Sequence, residues 1–182
     1  MTIYSGEQLT IETLQPEHAA GLIALTDRNR AYLKQWLTWV DYLQTEDDFR
    51  KFIAGAQQRM SSGAEVSCVM VHNKIIVGRI GIYYIDRQNR IGSMGYWIGE
   101  EWQGRGLVTE ACRQMVSYGF RHLKLNRLEI KCGTENLRSQ AIPRRLEFYR
   151  EGVIRQGELL NGRFIDLCLY AMLSSEWKES GY

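Results

Sequence analysis

Apolar residues along this chain recur at two spacings, every second position and every third or fourth, and the switches between them mark out the elements. Leu9 to Leu14 alternates as a strand; Pro16 then opens a helix carrying Ala19, Ala20, Leu22, Ile23 and Leu25. Arg30 to Leu43 holds Tyr32, Trp36, Trp39 and Tyr42 and reads as a short helix and a loop. Thr45 is placed to cap the next helix, with Asp47 and Asp48 in its first turn, where the helix dipole favours acids. That helix runs to about Ser61 and buries Phe49, Phe52, Ile53 and Met60. Strands over 65–71 and 75–84 meet at the polar joint His72-Asn73-Lys74, a hairpin signal, and 90–98 adds a third strand. A helix from Leu107, a strand over 127–132, a helix over 138–149 and strands over 153–160 and 164–172 complete the chain. Asn161-Gly162 between the last two is a strong hairpin turn. The order predicts an α+β fold on a mostly antiparallel central sheet with helices on both faces, built as a single domain over 1–182.

Composition narrows the partners. Net charge is only +2, which gives no global pull toward nucleic acid or anionic membrane. The one dense basic group is Arg138, Arg144, Arg145 and Arg150. Cys68, Cys112, Cys132 and Cys168 sit inside apolar runs without paired spacing, the usage of buried thiols rather than of a disulfide framework or metal site. No charged-then-apolar leader opens the sequence and no apolar run approaches a membrane span, so a cytoplasmic location is expected.

The candidate chemistry centres on Gln103-Gly104-Arg105-Gly106-Leu107-Val108-Thr109. It lies between the apolar run 95–99 and a helix whose Leu107, Ala111, Met115 and Val116 fall on one face. A glycine turn that opens a helix presents free N–H groups and the positive end of the dipole to an anion. The turn lacks the Gly-Lys-Ser/Thr ending of a nucleoside-triphosphate loop and the three-glycine spacing of a dinucleotide fold. It reads as a diphosphate seat; a tight turn with glycine for steric reasons alone is the other reading.

Gln103-x-x-Gly106-x-Val108 after a strand, followed about thirty residues later by Asn136-x-x-Ser139, resembles the GNAT acyl-CoA N-acyltransferases. Gly95-Tyr96-Trp97-Ile98, Leu125-Asn126-Arg127-Leu128, Asn136-Leu137-Arg138-Ser139 and Leu160-Asn161-Gly162 narrow the likeness to the RimJ/RimL branch, which acetylates the N-termini of ribosomal proteins. The resemblance implies acetyl-CoA as co-substrate and no metal. It implies cofactor contacts from Ile98, Gln103 to Thr109, Asn136, Arg138 and Ser139, with the pantetheine arm between two splayed strands. Arg138, Arg144 and Arg145 become candidates for the 3′-phosphate, with solvated helix charge as the alternative. Two departures stand out: Val108 replaces the usual glycine or alanine, and Glu147 replaces a helix-ending glycine, which implies that this helix end is built differently.

Acetyl transfer to an amine needs a base for the ammonium, stabilisation of developing charge and a donor for the thiolate. The slot of the tyrosine that often protonates the thiolate is Pro143, and Tyr149 falls too late in the helix to replace it. Ser139 is the donor that RimL-like sequences imply, or else a helix cap. The strand position where many relatives carry a glutamate is Ser93, and Glu158, before Asn161-Gly162, is where the RimL-like pattern places a catalytic carboxylate. An exposed hairpin acid is its alternative; Glu100, Glu101 or bulk water would remain as bases. Cys132 is noted beside the cofactor strand, though apolar-strand cysteines are core residues as a rule. The acceptor is expected between residues 28–62 and the closing hairpin, with Tyr32, Trp36 and Trp39 as channel walls or as core. The leading acceptor is the α-amino group of a protein, plausibly ribosomal, attacked directly in a ternary complex. A small amine such as a polyamine, amino acid or drug is the runner-up, and a CoA-binding regulator without catalysis is the third reading. A homodimer is also expected to be possible.

Overall fold

The computed structural model describes residues 1–178. Strands β1 (Thr2–Ser5) and β2 (Thr10–Thr13) precede helices α1 (Ala19–Leu33) and α2 (Glu46–Ser61). Strands β3 (Val66–His72), β4 (Ile75–Asp86) and β5 (Ile91–Ile98) lead to α3 (Leu107–Arg121), β6 (Arg127–Gly133), α4 (Leu137–Arg145), β7 (Tyr149–Leu160) and β8 (Arg163–Leu173). All eight strands form one sheet in the order β1-β2-β3-β4-β5-β6-β8-β7, and every neighbouring pair is antiparallel except β5 with β6.

The two-residue alternation of the strands builds a core on each face. On β3, Cys68 and Met70 pack in the core that holds Ala111, Met115 and Ile142 of α3 and α4. Val69 between them joins the opposite core, with Leu22, Leu25, Phe49 and Ile53 of α1 and α2. Thr45 caps α2 as expected: its Oγ1 accepts from the Asp48 N–H (3.1 Å), and the Asp48 carboxylate accepts from the Thr45 N–H (2.9 Å). Asn161 and Gly162 both take positive φ (50° and 80°), the backbone of a tight type I′ hairpin.

Two expectations need correction. The strand at Thr2–Ser5 was not expected, and the helix expected over 138–149 ends at Arg145, so Tyr149 is the first residue of β7 and exposed. The cause is Glu147, which takes a left-handed φ of 62° although it is not glycine. Its N–H reaches the Arg144 carbonyl (3.2 Å) and the Phe148 N–H reaches that of Pro143 (2.9 Å), the paired bonds of a Schellman end. The helix end is therefore built in the usual way, and burial of Phe148 holds the strained residue in place.

The parallel pair sets up everything that follows. β5 and β6 pair only from Ile91–Ser93 against Arg127–Glu129. Beyond Ser93 and Glu129 the strands have no partners on these edges and part into a wedge, with α3 and α4 packed on one side of the sheet.

Candidate active site

The glycine turn sits at the mouth of this wedge. Gly104 and Gly106 take φ of 73° and 77°, and no atom lies within 4 Å of where a side chain would begin at either. Left-handed backbone next to open space explains both glycines without any packing demand. Gly106 caps α3, whose first bond runs from the Glu110 N–H to the Gly106 carbonyl (3.0 Å). The N–H groups from Gly106 to Thr109 precede that bond and lack acceptors within the helix. Val108 lies in the first turn of α3 and lines the cleft.

A cleft of about 1220 Å³ joins the turn to the wedge. Every residue expected at the cofactor lines it: Ile98, Gln103 to Thr109, Asn136, Arg138 and Ser139. Glu158 lines it too, as do Tyr32 and Trp36. Ser93 does not; it is the last paired residue before the wedge, so no strand carboxylate faces the cleft there. Glu100 and Glu101 lie outside its lining as well.

Around the wedge the side chains are tied together. Asn136 is the N-cap of α4, its Oδ1 accepting from the Ser139 N–H (3.0 Å). Ser139 is thus capped rather than capping, and its hydroxyl is free to donate to Cys132 Sγ (3.2 Å) or Tyr96 Oη (3.4 Å). Tyr96 Oη in turn donates to the Ser139 carbonyl (2.8 Å). Burial pushes both the Cys132 thiol and the Tyr96 phenol above their usual ranges, so both stay protonated near neutral pH. At the cleft mouth Arg138 donates to Gln103 Oε1 (2.8 Å), and Gln103 donates to Tyr32 Oη. Desolvation also raises the Tyr32 phenol.

At the other end stands Glu158 on β7, half-buried, with its carboxyl raised by desolvation. Trp36 and Ile165 close around Gly133 there; a side chain on that glycine would meet them at 3.3 and 3.4 Å. The hairpin tip is fastened to the end of α1 by Asn161 Nδ2 donating to the Lys34 carbonyl (2.9 Å).

Two of the candidates lie outside the cleft lining. Arg144, though exposed, donates to the buried side chains Tyr170 Oη (3.1 Å) and Gln140 Oε1 (3.2 Å), whereas Arg145 lines the cleft. Trp39 packs on Trp97 (5.4 Å between centroids) and Phe49 (6.4 Å) in the α1/α2 core, so it is no channel wall. Sequence reasoning also passed over Arg113, a further cationic residue of the cleft, and the part Tyr96 plays within it. Arg113 had a signal, one helical turn beyond the expected phosphate seat; Tyr96 had none beyond its strand.

All four cysteines are buried free thiols, and among the described residues no cluster of acids, histidines and cysteines could hold a metal ion. Among them, too, no helix is long and apolar enough to cross a membrane.

The sequence matches the acetyltransferase (GNAT) domain family over residues 8–149. It is 33% identical over 94% of both chains to a Bacillus subtilis protein whose name proposes ribosomal N-acetyltransferase activity. It is 29% identical to the ribosomal-protein-serine acetyltransferase of Escherichia coli, covering 94% of this chain and 96% of that one. The fold superposes on RimL, a ribosomal-protein α-N acetyltransferase solved with coenzyme A disulfide-bonded to one of its cysteines. That match has a TM-score of 0.91 at 27% identity and covers 95% of this chain and 98% of RimL. Turn, wedge and relatives agree: the chain belongs to the GNAT family and is an N-acetyltransferase whose acetyl donor is acetyl-CoA.

Proposed function

We propose that this enzyme acetylates the α-amino group of a protein N-terminus, with a ribosomal protein as the leading acceptor, Glu158 as general base and Ser139 as donor to the leaving thiolate. The observation that carries the reading is the placing of these two groups in one cleft: Ser139 in the wedge and Glu158 at the end walled by Trp36 and Ile165.

The residues fit the co-substrate. The N–H groups from Gly106 to Thr109 and the cations Arg105, Arg113, Arg138 and Arg145 suit phosphates, and the unpaired edges of β5 and β6 offer backbone partners to an amide-bearing arm. Acetyl-CoA supplies an activated acyl group as a thioester. Cys132 is the one cysteine in the cleft lining, which matches the capture of a coenzyme A sulfur by a cysteine in RimL. The acyl sulfur then belongs beside Ser139 Oγ.

Glu158, ionised, takes a proton from the incoming ammonium, directly or through one water. An α-ammonium has an ordinary pKa of roughly 7.7–8.0 against about 10.4 for lysine, so a carboxylate of modest basicity suffices for the former. Burial raises Glu158 and strengthens it in this role. The amine nitrogen bonds to the acyl carbon; collapse breaks the carbon–sulfur bond as Ser139 Oγ–H passes its proton to the sulfur, and the surplus proton on the adduct nitrogen restores the serine hydroxyl. Relatives named for serine and alanine acetylation on ribosomal proteins support the protein acceptor.

Thiol release from acetyl-CoA tests this with three acceptors: peptides with a free N-terminus, the same peptides blocked at the N-terminus but carrying lysine, and small amines. Turnover should follow the free α-amine. Faster turnover of polyamines or amino acids would replace the protein acceptor, and no turnover with any amine would leave a CoA-binding regulator.

A further inference from the structure

A helix carbonyl normally accepts from the N–H four residues on; for Ser139 that residue is Pro143, which has no N–H and whose ring crowds that carbonyl. The carbonyl is nonetheless satisfied. Tyr96 Oη, arriving from β5 across the wedge, donates to it at 2.8 Å. The same phenol oxygen is one of two resting acceptors for Ser139 Oγ (3.4 Å), the other being Cys132 Sγ (3.2 Å). The Asn136 cap fixes the Ser139 N–H from the other side (3.0 Å). Ser139 is therefore held at its N–H, its carbonyl and its hydroxyl by three different elements.

We infer that Tyr96 is a positioning residue for acetyl transfer: its hydroxyl replaces the helical hydrogen bond that Pro143 withholds from Ser139, and so keeps the Ser139 hydroxyl aimed at the departing sulfur. This rests on the reading of Ser139 as donor. Pro143 leaves the Ser139 carbonyl without its helical donor, and the tyrosine placed in the wedge repairs the consequence. Because burial keeps the phenol protonated, the anchor persists at any working pH and adds no titration of its own to the rate.

The test uses the intact enzyme, an N-terminal peptide acceptor and single-turnover rates, with acetyl-CoA affinity measured alongside. Tyr96→Phe, which deletes only the hydroxyl, should slow the chemical step roughly tenfold, the scale of one net hydrogen bond, with affinity little changed. Pro143→Ala restores an N–H four residues beyond Ser139 and favours the helix, so it should fold. Tyr96→Phe combined with Pro143→Ala should recover most of the lost rate. In a Ser139→Ala background, Tyr96→Phe should cost nothing further. An undiminished rate in Tyr96→Phe overturns the inference, as does a double variant with Pro143→Ala that stays as slow as Tyr96→Phe alone. Multiplicative losses with Ser139→Ala overturn it too, since Tyr96 would then act on its own. Should Ser139→Ala keep full rate, the donor reading falls and takes this inference with it; Ser139→Ala slow with Tyr96→Phe unaffected removes the inference alone.

Discussion

The two ends of the cleft are built on opposite plans. The cofactor end, from β5 through the glycine turn to the start of α4, is made largely of backbone: unsatisfied N–H groups of α3, unpaired strand edges, and two glycines at positive φ with nothing beside them. The proposed acceptor end is made of side chains from distant segments: Trp36 just beyond α1, Glu158 and Ile165 on the closing hairpin. Trp36 and Ile165 meet around Gly133, and Asn161 ties the hairpin tip to Lys34 across 127 residues of sequence. A site made of backbone constrains the residues that form it, and so fixes its own chemistry. A site made of side chains can change its walls while keeping the sheet.

The comparison can be broken most severely at Gly106. Gly106→Asp places a carboxylate at the phosphate seat on a backbone with φ of 77°. Like-charge repulsion is about 1 kcal/mol at 4 Å in water and about 4 kcal/mol near a protein surface. Acetyl-CoA affinity by calorimetry should fall on the order of a hundredfold, and unchanged affinity would remove the turn from the cofactor end. Trp36→Ala should act at the other end alone. The acceptor KM should rise roughly tenfold, the equivalent of about 1.4 kcal/mol, with acetyl-CoA affinity unaltered. A matching loss of acetyl-CoA affinity would show that the two ends are one.

Glu158 also predicts a dependence of stability on pH. Its carboxyl is raised in the folded state above the unfolded value near about 4.3, so between the two values the native chain binds more protons than the unfolded one. Stability from this group is full below the unfolded value and is lost as pH rises through the folded one. Glu158→Gln removes the ionised, desolvated carboxylate, so its melting temperature should exceed that of the parent at pH 8 and match it near pH 4. Equal melting at both would mean that the carboxylate is well solvated. The smallest effect belongs to a place outside both ends. Thr45→Ala breaks the α2 capping box and should reduce stability by about 1 kcal/mol without touching acetyl-CoA affinity.

The same division explains what could be read from the sequence. Gly104, Gly106 and the Asn161-Gly162 turn announce themselves because left-handed backbone recruits glycine and asparagine. Glu147 takes the same conformation without that mark, and so the end of α4 was placed four residues late. The order of strands and helices along the chain is legible from residue spacing, but the wedge is not: it depends on where pairing between β5 and β6 stops. Ser139 and Glu158 were nameable by likeness to relatives, while Tyr96 and Pro143 show their connection only when the phenol is seen on the carbonyl that proline leaves unserved. Trp36 and Trp39, three residues apart on one aromatic stretch, parted to opposite fates, cleft wall and core, which composition alone does not separate.

The central claim is that binding of acetyl-CoA and activation of the amine reside at separate ends of one cleft, with Glu158 serving only the second. Turnover and acetyl-CoA affinity measured together on Glu158→Gln test it most directly. Turnover at pH 7 should fall on the order of 10²–10⁴, the usual worth of a general base, while affinity stays near that of the parent, and the deficit should shrink as pH rises past the amine pKa. Near-normal turnover at pH 7, or a loss of acetyl-CoA affinity as large as the loss of turnover, would contradict it.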